Sequence, residues 1–192
     1  MRIGVLALQG SVKEHMNMLE KCGVEPVEVK QPHDMDNIYG LVIPGGESIT
    51  IGKLMKESGL DKEILRKYSL GMPIYGSCAG AILLSKEIVG SKQLRLGLMD
   101  ISVKRNDYGR QIDSFETELE VEDFDEPFKG VFIRAPVVNA VYNGAKIMSS
   151  FDKKPVLVKQ GNILISTFHP ELTNDLRVHK YFIDMVKKSV SY

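Results

Sequence analysis

A cysteine stands between two glycines in Gly76-Ser77-Cys78-Ala79-Gly80, directly after the short apolar run Pro73–Tyr75. Gly-x-nucleophile-x-Gly is the pattern of a strand-to-helix corner. There the small flanking residues let the backbone pass close to itself and leave the nucleophile exposed above a sheet. A thiol at such a corner lies near a helix N-terminus, whose partial positive charge favours thiolate, and the N–H of Ala79 is placed to face a developing oxyanion. The cysteine needs a base. Of the four histidines, His15 and His179 fall in helical patterns among apolar neighbours and read as helix-surface or half-buried residues. His33, in Gln-Pro-His-Asp, reads as a solvated loop residue. His169 differs, because it follows the strand-like Ile163–Ser166 and opens His169-Pro170-Glu171. In an extended stretch a His and a Glu two apart project to one side, so Glu171 could orient the imidazole and stabilise its charged form.

Other features are less specific one by one. Gly45-Gly46, after the strand-like Leu41–Ile43, can bring backbone N–H groups close to a ligand, or be a plain tight turn. Arg105 and Arg134 could clamp a carboxylate, or form surface ion pairs. Cys22, in Lys-Cys-Gly at a helix end, has no base or electropositive setting and reads as packing.

These residues need a scaffold. Arg2–Leu8 is almost continuously apolar, as in a strand covered on both faces. Ser11 and Glu14 have the spacing of a capping box, followed by Val12, His15, Met16 and Leu19 at helical spacing and a stop at Gly23. Strands at Val27–Val29, Leu41–Ile43 and Pro73–Tyr75 alternate with helices around Ile51, Leu54 and Met55 and around Ile64 and Leu65. This alternation predicts an α/β fold: a three-layer, open, mostly parallel sheet of flavodoxin-like type with helices on both faces. Ligands in such sheets bind beyond the carboxyl ends of the strands, where Leu8-Gln9-Gly10, Pro44–Ser48 and Gly76–Gly80 would meet. The second half is antiparallel-rich, with short strands expected at Ile101–Lys104, Thr117–Val121, Val131–Ile133, Lys146–Ser149, Val156–Val158 and Ile163–Ser166. A closing helix is expected from Leu172 to Val186, burying Leu172, Leu176, Phe182, Met185 and Val186.

The 192 residues suggest one domain spanning 1–192, large enough to bury a core without cross-links. Lys+Arg and Asp+Glu both number 25, with no dense basic run, so no nucleic-acid partner is expected. Two cysteines make neither a disulfide framework nor a zinc site. The first ten residues lack a small-residue cleavage site, and no apolar stretch approaches the roughly 20 residues of a membrane span. A reducing cytoplasm is the expected setting, with no membrane partner. A thiol nucleophile and an oxyanion site call for no metal or organic cofactor.

Taken together, the Gly-x-Cys-x-Gly turn and the later His-Pro-Glu resemble the nucleophile and His-x-Glu of class I, triad-type glutamine amidotransferases. The resemblance runs along nearly the whole chain. Gly4–Gly10, Pro44–Ser48, Arg105-Asn106-x-x-Gly109-Arg110-Gln111, Phe132–Pro136 and Phe168–Leu172 resemble the glutaminase subunits of pyridoxal 5′-phosphate synthase, in the same order. Ser77 and Ile49 depart from a pattern in which threonine is frequent.

The resemblance implies that Cys78 attacks the side-chain amide of L-glutamine, that His169 activates it and protonates the departing ammonia, and that Glu171 orients His169. It implies that Gly46, Glu47 and Ser48 bind glutamine, that Arg105, Ile133 and Arg134 meet it, and that Gly46 with Ala79 forms the oxyanion hole. Gln9 and Gly10 would govern the loop state when a partner docks. That partner would be a separate synthase subunit, in a large hetero-oligomeric complex, using the ammonia to make pyridoxal 5′-phosphate. Three other readings stay open: a glutaminase of another pathway, such as imidazole glycerol phosphate synthase; a cysteine peptidase or chaperone-like hydrolase on the same elbow; and a non-catalytic binding module.

Overall fold

The computed structural model describes residues 1–105 and 114–190. The first half is a regular alternation: β1 (Arg2–Leu6), α1 (Val12–Lys21), β2 (Glu25–Val29), β3 (Gly40–Ile43), α2 (Ser48–Ser58), α3 (Leu60–Ser69), β4 (Ile74–Ser77) and α4 (Ala79–Leu84). Short strands then dominate: β5 (Ser85–Ile88), β6 (Met99–Lys104), β7 (Ser114–Leu119), β8 (Phe128–Ile133), β9 (Val137–Val141), β10 (Lys146–Phe151), β11 (Lys154–Gln160) and β12 (Ile163–Ser166). Helix α5 (Arg177–Val190) closes the fold.

Among the described residues the main sheet has the order β10-β11-β12-β4-β3-β1-β2. Its five strands from β12 to β2 are parallel, and the hairpin β10–β11 adds an antiparallel edge. Side chains alternate between faces with the strand period of two. Leu6, Leu41, Ile43, Ile74, Ile163 and Ile165 pack toward Ile51, Met55, Ile64 and Leu83 of α2, α3 and α4. On the other face Ile3, Val5, Val42, Tyr75 and Leu164 meet Leu19 of α1 and Val178, Phe182, Ile183 and Val186 of α5. The three-layer, mostly parallel α/β architecture with an antiparallel-rich second half is as the sequence predicts. β5-β6-β9 and β7-β8 form two smaller sheets, each covering one of these apolar layers.

Several local expectations are corrected. β1 stops at Leu6, so Ala7 to Gly10 is a loop rather than the strand's end. The capping box at α1 does not form: Ser11 takes the N-cap position but makes no side-chain cap, because its hydroxyl is bonded to Glu171 instead. The closing helix begins at Arg177, not Leu172; Leu172 lies in a separate 3-10 turn and is exposed, and Leu176 is only partly buried. Asp175 caps the real start, accepting the Arg177 N–H at 3.0 Å. Strands β5 and β9 were not foreseen. Ser85–Ile88 carries exposed Lys86 and Glu87 and only Ile88 favours a strand, whereas Val137–Val141 has three valines and a strand-favouring composition that the sequence reading missed.

Candidate functional site

The loops after β1, β3, β4 and β12 all open at the carboxyl edge of the parallel strands. Ser11 N–H donates to the Gly45 carbonyl at 3.0 Å, joining the β1 and β3 loops. The Glu47 N–H donates to the Gln9 side-chain carbonyl at 2.7 Å, a second tie between the same loops. Cys78 N–H donates to the Ser166 carbonyl at 2.8 Å, joining the β4 elbow to the end of β12.

Cys78 sits at the elbow with φ 48° and ψ −100°, a strained conformation for a residue with a side chain. Gly76 and Gly80 are what permit it. A Cβ on Gly76 would lie 2.6 Å from the Gly80 carbonyl carbon, and one on Gly80 would overlap the Ile43 carbonyl. The turn therefore packs backbone on backbone and presents Cys78 with Ala79 as the first residue of α4.

His169 follows β12 and is pinned by its N–H, which donates to the Val131 carbonyl at 2.8 Å. Upstream, the Tyr75 hydroxyl bonds Ser166 Oγ at 2.8 Å, and Ser166 bonds the Phe168 carbonyl at 2.9 Å. The His169 ring stands beside Cys78 at the same cavity and is hydrogen-bonded to Glu171 Oε1 from Nδ1 at 2.7 Å. The extended His-x-Glu geometry expected from sequence is replaced by a 3-10 turn over Pro170–Leu172. That turn brings Glu171 back under His169. Cys78, His169 and Glu171 are all buried.

Burial alone would push the His169 imidazole down. The neighbouring Cys78 and the bond and charge of Glu171 outweigh it and raise His169 to about 10. Burial would raise the Glu171 carboxyl, but His15, His169 and the Ser11 hydroxyl hold it at about 2. His15 is itself driven below its ordinary value by burial. The site thus holds a cationic imidazole between the Cys78 sulfur and a carboxylate, the arrangement that serves a cysteine nucleophile and can protonate a departing amine.

In front of this set lies a cavity of about 430 Å³ lined by Gly46, Glu47, Ser48, Cys78, Ile82, Arg105, Ile133, Arg134 and His169. Every residue expected to bind glutamine lines it, together with Ile82, which the sequence reading missed. Glu47 is the N-cap of α2 and accepts from Thr50 N–H at 2.9 Å and Thr50 Oγ1 at 3.1 Å. Arg105 Nη2 donates to Glu47 Oε1 at 3.1 Å, and Nη1 donates to Gln93 Oε1 at 3.2 Å. Gln93 in turn donates to Ser48 Oγ at 3.0 Å. Its place in this rim had no local signal in the sequence. Arg134 stands at the mouth with φ 44°, a second strained residue at the same cavity. Gln9 and Gly10 stand behind the β3 loop rather than in the cavity wall. Asn106, Gly109, Arg110 and Gln111 of the family block lie outside the described residues.

The sequence reading also missed three polar residues behind the triad. Ser11 Oγ donates to Glu171 Oε1 at 2.6 Å. His15 and His179, read as surface or half-buried, are both fully buried. They bond each other at 3.0 Å, because the face of α1 that carries His15 and the face of α5 that carries His179 both turn toward the sheet. Helical periodicity placed them on faces; only the packing of α1 against β4 and α5 shows that those faces are covered. Cys22 is half-buried in the apolar layer beside α1, and burial raises its thiol, in keeping with a packing role. His33 is exposed, as expected. Among the described residues no group of three or more His, Cys, Asp or Glu could hold a metal ion, and no helix is long and apolar enough to cross a membrane.

The chain is similar to proteins named pyridoxal 5′-phosphate synthase subunit PdxT. It is 50% identical to that of Desulforamulus reducens over 188 residues, covering 97% of this chain and 100% of the relative. It is 51% identical to that of Moorella thermoacetica over 187 residues, covering 97% and 100%. A solved structure described as a glutamine amidotransferase superposes with a TM-score of 0.93 at 46% identity, over 96% of this chain and 98% of that one. The Thermotoga maritima PurLQS structure matches at a TM-score of 0.66 and 20% identity, over 98% and 96%, a likeness of fold alone. The model of the SNO glutamine amidotransferase family matches residues 5–188, and the chain belongs to that family.

Proposed function

We propose that this chain is the glutaminase subunit of a pyridoxal 5′-phosphate synthase, hydrolysing L-glutamine to L-glutamate and ammonia and delivering the ammonia to a separate synthase subunit. The observation that carries this reading is the set Cys78–His169–Glu171, with His169 bonded to Glu171 and standing beside Cys78, facing a cavity lined by Gly46, Glu47, Ser48, Arg105, Ile133 and Arg134. It occurs in a chain half identical to PdxT subunits over nearly its whole length.

The Cys78 sulfur, its proton passed to the His169 ring, attacks the side-chain amide carbon, and the carbonyl oxygen becomes an oxyanion held by backbone N–H groups at Ala79 and Gly46. His169, charged and oriented by Glu171, gives its proton to the amide nitrogen. The C–N bond breaks, ammonia leaves and a thioester remains. The now neutral His169 takes a proton from water as the water attacks the thioester, and collapse releases glutamate and the thiol. Arg105 and Arg134 offer guanidinium groups for the glutamine α-carboxylate. The Gln9 bond to the Glu47 N–H gives the β1 loop a handle on the glutamine loop, the route by which docking of the synthase subunit would set its state. On this reading the chain is one glutamine amidotransferase domain, works in the cytoplasm, and assembles with its synthase into a large hetero-oligomer.

The test is release of ammonia and glutamate from L-glutamine, with and without a pyridoxal 5′-phosphate synthase subunit, by the wild type and Cys78→Ala. The expected result is release that rises when the synthase is added and vanishes in Cys78→Ala. Release that depends on Cys78 but ignores the synthase would assign the chain to another pathway. No release from folded protein with a competent synthase would overturn the glutaminase reading.

A further inference from the structure

His15 and His179 take no part in the steps above, yet they sit directly behind Glu171. His15 Nε2 is 2.9 Å from Ser77 Oγ and 3.4 Å from Glu171 Oε2. One ring nitrogen therefore touches the neighbour of Cys78 and the carboxylate that orients His169. The opposite nitrogen, Nδ1, is 3.0 Å from His179 Nε2. Glu171 Oε1 already accepts from Ser11 and His169, whereas Oε2 is buried and has no hydrogen bond of its own. Neither has His179 Nδ1.

Two independent considerations select the same tautomers. If His15 carried its proton on Nδ1, it would donate to His179 Nε2, and His179 would then bury an unpaired N–H at Nδ1. A buried unmade donor costs more than a bare ring lone pair. The same choice would also turn the His15 Nε2 lone pair toward the Glu171 carboxylate. With the proton on Nε2 of both rings, His179 donates to His15 Nδ1, and the His15 Nε2–H lies between Ser77 Oγ and Glu171 Oε2. Both faults disappear together. The groups facing this cluster are Glu171 and His169 from the turn after β12, His179 from α5, Tyr75, Ser77 and Cys78 from β4 and its elbow, and Ser11 and Glu14 from the start of α1. A helix contact built for packing alone would be apolar here, since buried polar rings that lack partners destabilise a core.

We propose that His15 is a positioning residue for glutamine hydrolysis, holding the second carboxylate oxygen of Glu171 with its Nε2–H, and that His179 fixes the tautomer that puts the proton there. The order of contact is His179, His15, Glu171, His169, Cys78. Ser11 and His169 bond one oxygen and the His15 Nε2–H faces the other at 3.4 Å, so Glu171 keeps one rotamer and one face toward His169. The inference rests on the triad reading above.

Three substitutions separate positioning from packing. Glutamine places an amide nitrogen about where imidazole Nε2 lies, asparagine about where Nδ1 lies, and leucine supplies bulk alone. His15→Leu is expected to lower kcat in the presence of the synthase subunit by about 10- to 100-fold, the usual reach of an outer hydrogen-bond partner. KM for glutamine should stay within about threefold, because no residue lining the cavity is touched. His15→Gln should recover most of kcat, and His15→Asn should resemble His15→Leu.

The second readout needs neither substrate nor partner. In proton NMR, the His169 Nδ1–H held against a carboxylate gives a far-downfield resonance. It should persist in His15→Gln and broaden or disappear in His15→Leu and His15→Asn. Equal recovery by asparagine and glutamine, a wild-type kcat in His15→Leu, or a loss confined to KM would overturn the proposal. Should His15→Leu fail to fold by circular dichroism, the glutamine–asparagine comparison decides alone. A wild type that does not hydrolyse glutamine would sink the glutaminase reading, while the His169 resonance would still report on positioning.

Discussion

At the scale of the residue, the buried pair His169 and Glu171 makes stability depend on pH in both directions. Glu171 titrates at about 2 in the fold against an ordinary 4.5, so its contribution is present above about 4.5 and is lost as pH falls toward 2. His169 is raised from 6.5 to about 10, so its contribution is present below 6.5 and is lost as pH rises toward 10. The His169–Glu171 contact enters both shifts and is counted once, at roughly 3 kcal/mol, while Cys78 adds to the His169 shift and His15 and Ser11 add to the Glu171 shift. Glu171→Gln removes the pair. The melting temperature of the wild type should exceed that of Glu171→Gln by several degrees between about pH 4.5 and 6.5, and the gap should narrow on either side. Thermal melts of both proteins across that range check this, and a gap constant at every pH would refute it. The Cys-His-Glu set was legible in the sequence because each type sits in a distinctive local pattern. Ser11 was misread for a physical reason: its spacing to Glu14 fits a local cap, but a carboxylate 160 positions away forms the stronger, charge-assisted bond.

At the scale of the element, loops after different strands must lie backbone against backbone to bring the triad and the glutamine loop together. Gly10 has φ +104°, and a Cβ there would overlap the Gly45 carbonyl, which is also the acceptor for Ser11 N–H. Gly23 has φ +80° with nothing within 4 Å of its virtual Cβ. The two positions separate conformational strain from collision. Gly23→Ala should cost only the strain of a left-handed residue, about 1 kcal/mol. Gly10→Ala should cost clearly more, on the order of 3 kcal/mol, and should raise KM for glutamine because Gly45 and Gly46 must shift. Urea denaturation of both variants with glutaminase kinetics measures the difference; equal costs would mean that the β1 and β3 loops are not packed as described. The parallel strands and their order along the chain were readable from apolar runs separated by helical periodicity. β5 was not, because only Ile88 of its four residues favours a strand; β9, with three valines, carried a signal that went unread. The start of α5 was placed too early because Leu172 continued an apolar period across a turn that Pro170 had already set.

At the scale of the whole molecule, the site belongs to neither half. The first half supplies Gly46, Glu47, Ser48 and Cys78; the second supplies Arg105, Ile133, Arg134 and His169. Arg105 is the clearest bridge, bonding Glu47 on the glutamine loop and Gln93 behind it. A ligand in this cavity therefore holds together segments from both halves, and its binding energy should appear as global stability rather than local ordering. In Cys78→Ala, which prevents turnover, L-glutamine at about 100 times its Kd should add roughly 2.7 kcal/mol. For a chain of this length that is about 5–10 °C in melting temperature. Adding Arg105→Ala removes the bridge and one guanidinium offered to the substrate carboxylate, so the shift at the same glutamine concentration should largely vanish. The melting temperature without glutamine should change little, because the Arg105–Glu47 pair is partly exposed and such pairs contribute at most about 1 kcal/mol. Differential scanning calorimetry of the two variants with and without glutamine makes the comparison. An undiminished shift in the double variant would place the glutamine carboxylate away from Arg105 and leave Arg134 to hold it.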